Sequence, residues 1–182
     1  MQLVSLETKI PASHFYENMI MRDVEKSKSS SGGKSVSTLD SHLGFWLRYV
    51  SNYVSGRFEK SVEGAGVSIS EWVALRTLYS KTESTPADLM QELGMTKGAI
   101  SKILGSLEKK ELLKRETSLI DRRAQHISLT RKGKNLVPEL AALADENDEL
   151  FFGHMSPQQR MDLMSGMQKI IDLHGMRKIP VE

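Results

Sequence analysis

Thr85-Pro86-Ala87-Asp88-Leu89-Met90-Gln91-Glu92-Leu93-Gly94-Met95-Thr96-Lys97-Gly98-Ala99-Ile100-Ser101-Lys102 holds two helix starts with a helix stop between them. Thr85 suits capping of the free backbone N–H groups, Pro86 suits the first helical position, and Asp88 supplies the carboxylate of a capping box. Leu89, Met90 and Leu93 then line one apolar face. Gly94 stands where a left-handed C-cap is needed, and Thr96 is a fresh N-cap, so the second helix sets off at an angle to the first.

In that second helix Ile100, Ile103, Leu104 and Leu107 recur at core spacing, which directs Lys97, Gly98, Ser101, Lys102 and Ser106 outward. Small residues and lysines let such a face approach phosphates and base edges closely, while the N-terminal turn adds N–H groups and a positive dipole end. An ordinary solvated face is the plainer use of the same pattern, and the residues C-terminal to the helix decide between the two. Leu113, Arg115 and Thr117 alternate with Lys114 and Glu116, and Ile127 and Leu129 alternate with His126 and Ser128, on either side of a tip holding Asp121, Arg122 and Arg123. That is the patterning of two short strands, a wing beside a helix-turn-helix. The fold class read from the sequence is therefore mainly α with a small β-hairpin wing. Asp121 and Arg123 are open to two uses. They brace the hairpin, or Asp121 orients a guanidinium for the narrow, negative minor groove. An exposed ion pair contributes only about 0 to 1 kcal/mol, a poor reason to place two arginines at a tip.

Gly94-Met95-Thr96-Lys97-Gly98-Ala99-Ile100-Ser101-Lys102, then Asp121-x-Arg123 and Leu129-Thr130-x-x-Gly133, resembles the MarR family of bacterial transcription regulators over residues 41–174. The resemblance implies a homodimer whose first and last helices form the dimerisation region, with the second helix of the pair in the major groove and the wing arginine in the minor groove. Carried onto this chain, it implies Thr96, Lys97, Gly98, Ser101 and Lys102 on the groove, Asp121 orienting Arg123, and Arg122 on a phosphate. It also implies a small aromatic or anionic effector in the cleft between base and reader. His42, Trp46, Trp72 and Arg76 are the candidates to line that cleft, the alternative being that the tryptophans pack the junction.

The chain has 182 residues with 39% hydrophobic content, enough for a buried core, and a net charge of only +2. Its distribution is more telling. Residues 67–134 hold 13 Lys/Arg against 8 Asp/Glu, whereas residues 135–182 hold 4 against 8, so positive charge gathers on the proposed reader. There are no cysteines, which excludes thiol-based sensing. The five histidines show no metal-binding helical spacing, and neither a phosphate loop nor a nucleophile elbow is present, so no catalytic residue, metal or cofactor is expected. No apolar run approaches a membrane span and no secretory leader is evident, which points to the cytoplasm.

Outside the reader, Leu43, Trp46, Leu47, Val50, Val54 and Phe58 mark a helix starting near Asp40 or Ser41, with His42 and Trp46 one turn apart on it, and Ser70 is the expected cap of a helix carrying Trp72. Thr130 caps a helix continued by Leu136, Leu140, Leu143, Leu150 and Phe151, in which Pro138 should produce a kink. Ser156-Pro157-Gln158-Gln159 opens a last helix ending at Gly175. Residues 25–38 read as a flexible linker, preceded by a weak helical face of Phe15, Met19 and Ile20. The division is residues 1–38 as an extension and linker, 39–66 with 131–176 as a helical dimerisation region, and 67–130 as the winged helix-turn-helix. The function this predicts is a sequence-specific regulator binding double-stranded DNA as a homodimer, a repressor released from a palindromic operator by a small effector. The alternative is a dimeric winged-helix protein-interaction module without specific DNA binding.

Overall fold

The computed structural model of the protein describes residues 36–117 and 125–176. The chain divides into two units, Met1–Leu43 and Gly44–Glu182. Among the described residues of the first, a 3-10 turn spans Leu39–Ser41, where Ser41 Oγ donates to the Thr38 carbonyl at 2.6 Å. His42 follows in extended conformation, its Nε2 3.0 Å from Ser37 Oγ. The first α-helix thus starts after His42, later than the periodicity indicates, and His42 is not on it.

The other described residues form six α-helices and one hairpin: α1 (Leu43–Gly64), α2 (Ile69–Tyr79), α3 (Pro86–Leu93), α4 (Lys97–Lys109), β1 (Leu113–Thr117), β2 (Gln125–Leu129), α5 (Arg131–Phe152) and α6 (Pro157–Leu173). Helices α3 and α4 with the hairpin make a winged helix-turn-helix. Three helices open with reciprocal capping boxes. Thr85 Oγ1 accepts from Asp88 N at 3.1 Å while Asp88 Oδ2 accepts from Thr85 N at 2.9 Å, and Ser156 with Gln159 does the same for α6. The box of α2 is Ser68 with Glu71, so Ser70, the expected cap, lies inside the helix. Ser68-x-x-Glu71 carries the box signature, and Ser70 has only Val73 three residues on.

Gly94 caps α3 with φ +62°, a left-handed turn that glycine adopts without steric penalty. Thr96 then starts α4, its Oγ1 accepting from Ala99 N at 3.3 Å. The strands pair antiparallel from Leu113↔Leu129 to Thr117↔Gln125. An isolated bridge on the other edge of β2 comes from Ser84, whose N donates to the Ile127 carbonyl at 3.0 Å and whose carbonyl accepts from Ile127 N at 2.8 Å. That bridge ties the wing to the entrance of α3.

The core gathers Val62 of α1, Leu75 and Leu78 of α2, Leu89 and Leu93 of α3, Ile100, Leu104 and Leu107 of α4, Leu113, Ile127 and Leu129 of the hairpin, and Val137 and Leu140 of α5. Helix α5 runs through Pro138 as one element, with Pro138 and Lys134, whose carbonyl lacks an i+4 donor, both on its exposed side. Helix α6 has no fully buried side chain among the described residues. Among the described residues no helix is long and apolar enough to cross a membrane.

Candidate nucleic-acid interface

Helix α4 is held by its apolar side and leaves the other side to solvent. Ile100, Ile103, Leu104 and Leu107 are buried, while the capping Thr96 and Lys97, Gly98, Ser101 and Lys102 are exposed. Thr96 uses its oxygen as acceptor in the cap, which leaves its O–H free to donate outward. At Gly98 a Cβ would meet nothing within 4 Å, so nothing among the described residues requires glycine there. Ser106, expected outward, is half-buried and close enough to Glu71 to help lower its carboxyl.

Beside this face lies a crevice of about 630 Å³ whose walls include Pro86 of α3, Lys97 and Ser101 of α4, Arg115 of β1 and Gln125 of β2. Arg115 is a residue that sequence reasoning missed. Its Nε sits 3.1 Å from Glu108 Oε2, a pair that draws the guanidinium against α4. The signal was available: Arg115 falls on the strand face of buried Leu113, and a cation on an inward face calls for a partner. Elsewhere on the hairpin, His126 Nδ1 lies 3.7 Å from Glu83 Oε2 and Lys114 Nζ 2.6 Å from Glu116 Oε1. Asp121, Arg122 and Arg123 lie outside the described residues.

Beneath the reader, Glu71 is a buried acid that accepts from Ser68 N and from Lys110 Nζ, both at 2.7 Å. Burial pushes its carboxyl up, but hydrogen bonds from Lys110, Ser106 and Ser68 with the Lys110 charge outweigh it and hold the group below its ordinary range. The exposed Asp88 is also lowered, through its bonds with Thr85. These are supports of the reader, not its surface.

The four effector candidates are placed as follows. His42 belongs to the first unit. Trp46 is half-buried with Phe45 at 5.3 Å and Tyr49 at 6.4 Å between ring centroids, Trp72 is half-buried edge-on to Phe58 at 6.4 Å, and Arg76 is exposed on α2. Among the described residues, no three His, Cys, Asp or Glu side chains converge as a metal-binding group.

Residues 65–124 match the model of the MarR family. The chain is 30% identical over 97 residues to the HTH-type transcriptional regulator MhqR of Bacillus subtilis, covering 51% of this chain and 67% of that protein. It is 28% identical over 99 residues to the HTH-type transcriptional regulator MgrA of Staphylococcus aureus, covering 54% of this chain but only 65% of that relative's length. The fold is that of BpsR from Bordetella bronchiseptica, whose DNA binding is regulated by 6-hydroxynicotinic acid, at a TM-score of 0.65 and 20% identity over 76% of this chain and 99% of that one. These relatives are regulators, not enzymes.

Proposed function

The chain belongs to the MarR family of transcriptional regulators, and on that premise we propose that it is a homodimeric repressor that reads a palindromic operator and leaves it when a small effector binds. The observation carrying the DNA-reading role is the division of α4 into a buried apolar side and an open side of Thr96, Lys97, Gly98, Ser101 and Lys102. Lysines and hydroxyls on such a face donate to phosphates and base edges, and Gly98 admits close approach of the groove. At the wing, Arg123 enters the minor groove with Asp121 orienting it, and Arg122 meets a phosphate.

Dimerisation is supported by the apolar side chains that α6 exposes, Met161, Met164, Met167, Ile170 and Ile171, together with Leu47, Val50 and Tyr53 of α1. Exposed apolar side chains repeated along a helix in this way suit an interaction surface. For release, an effector must bind the DNA-incompetent arrangement of the two readers more tightly than the competent one. Trp46 and Trp72 offer flat walls and Arg76 a cation, which suits a small aromatic anion.

Fluorescence anisotropy on duplexes selected from a random pool, repeated across salt concentrations, tests the reading. DNA binding through phosphates predicts log affinity falling linearly with log salt, by about 0.9 per phosphate neutralised. A salt-insensitive chain that selects no duplex would favour the protein-interaction module instead.

A further inference from the structure

We infer that Thr130 and Gly133, at the start of α5, are positioning residues that set the angle of α4 for reading base edges; this rests on the DNA-reading role proposed above. Helix α4 ends in a tight turn, with Glu111 N donating to the Glu108 carbonyl and Leu112 N to the Leu107 carbonyl, both at 2.9 Å. Glu111 closes it at φ +60°, among the described residues the one non-glycine in the left-handed region. The turn leaves three consecutive carbonyls to be satisfied from outside. The beginning of α5 takes all three.

Lys132 Nζ donates to the Lys110 carbonyl at 2.9 Å, Thr130 Oγ1 to the Glu111 carbonyl at 2.7 Å, and Thr130 N to the Leu112 carbonyl at 3.1 Å. The Thr130 oxygen also accepts from Gly133 N at 3.1 Å, so one hydroxyl caps α5 with its lone pair and holds the turn with its proton. Gly133 lets the two elements come this close, since a Cβ there would stand 2.1 Å from the Leu112 carbonyl oxygen. From the other side Lys110 Nζ reaches the Gly66 carbonyl at 2.9 Å and Glu71 at 2.7 Å. The exit of α4 is thus gripped between the α1–α2 loop and α5.

The grip acts at one end of a lever whose other end carries Lys97 and Ser101. From Lys97 to Lys109 the helix axis runs roughly 18 Å, so a tilt of about 5° at the turn moves the reading end by about 1.6 Å. Long lysines on phosphates tolerate such a shift, but directional contacts with base edges do not. Loosening the grip should therefore lower specific binding and spare non-specific binding.

Substitutions at Thr130 and Gly133 separate this role from simple capping. Thr130→Ser keeps both bonds of the hydroxyl, Thr130→Asp keeps the cap and loses the donor to Glu111, and Gly133→Ala forces the turn away. The full chain and each variant are measured against a selected duplex and a scrambled one, with thermal melting alongside. We expect Thr130→Asp and Gly133→Ala to lose about tenfold in specific affinity, the scale of one spoiled base contact, with scrambled-duplex affinity within about threefold and Thr130→Ser like wild type. Should Gly133→Ala fail to fold, Thr130→Asp against Thr130→Ser still decides. Unchanged specific affinity in a folded Thr130→Asp would overturn the inference, and so would a parallel loss on both duplexes that merely tracks melting. A wild-type chain that prefers no duplex would instead defeat the DNA-reading role itself.

Discussion

If α4 and the wing read DNA as proposed, Lys102, Gly98 and Arg123 should make separable contributions to the interface. Lys102 is an exposed cation on α4, and its replacement by Ala should weaken binding to all duplexes and lower the salt slope by about 0.9 for each phosphate no longer neutralised, as anisotropy across salt would register. Gly98 gives a sharper test because the added methyl meets nothing among the described residues. Gly98→Ala should raise helix stability by about 0.5 to 1 kcal/mol yet weaken DNA binding, two changes of opposite sign that melting and anisotropy would read on one sample. If affinity rises or holds with stability, the groove does not approach that backbone. Arg123→Ala should lower affinity by roughly 1 to 3 kcal/mol with melting unchanged; an early-melting variant would make Arg123 a brace of the hairpin.

The α2 helix shows how an element is fixed by one acid. Glu71 closes the Ser68 capping box and also meets Lys110 at the end of α4, joining two helices through one carboxylate. Its folded value lies below the ordinary 4.5, so its stabilisation is fully present above that pH and is lost as pH falls through the lowered value. Glu71→Gln should therefore cost about 1 to 3 kcal/mol at neutral pH and flatten the acid limb of the stability profile, measured by urea unfolding from neutral pH downward. An acid limb as steep in the variant as in wild type would assign that limb to other groups. The elements themselves were legible from local signals: the boxes at Thr85 and Ser156, the turn at Gly94, the cap at Thr96 and the strand alternation all stand where the sequence placed them. What escaped was non-local. The Ser84 bridge to Ile127, the Arg115 pair with Glu108 and the grip of Thr130 on the α4 exit join residues whose partnership no periodicity encodes. Ser106 illustrates the same limit, since its spacing put it outward and it is half-buried near the Glu71 carboxylate.

For the whole molecule, the unequal burial of the helices is the main physical fact. Helices α2 to α4 and the hairpin supply most of the described core, whereas α6 has no fully buried side chain and exposes methionines and isoleucines along its length. A second copy covering that surface predicts that deletion from Ser156 onward abolishes both dimerisation and specific binding, measured by sedimentation and anisotropy. A truncated monomer that still bound its site tightly would break the link between the base and the reader. Asn147 supports the base from within: it is buried, accepts from Arg57 at 3.1 Å and donates to the Val54 carbonyl at 3.2 Å, fixing α5 to α1. A two-fold arrangement of two such readers matches half-sites whose centres are one helical turn of DNA apart. The most direct test is therefore sequencing of duplexes that the full chain enriches from a random pool. The account predicts an imperfect inverted repeat with half-site centres about 10 base pairs apart, lost when Lys97 and Lys102 are both replaced by Ala. No enrichment, or the same repeat enriched by that double variant, would contradict it.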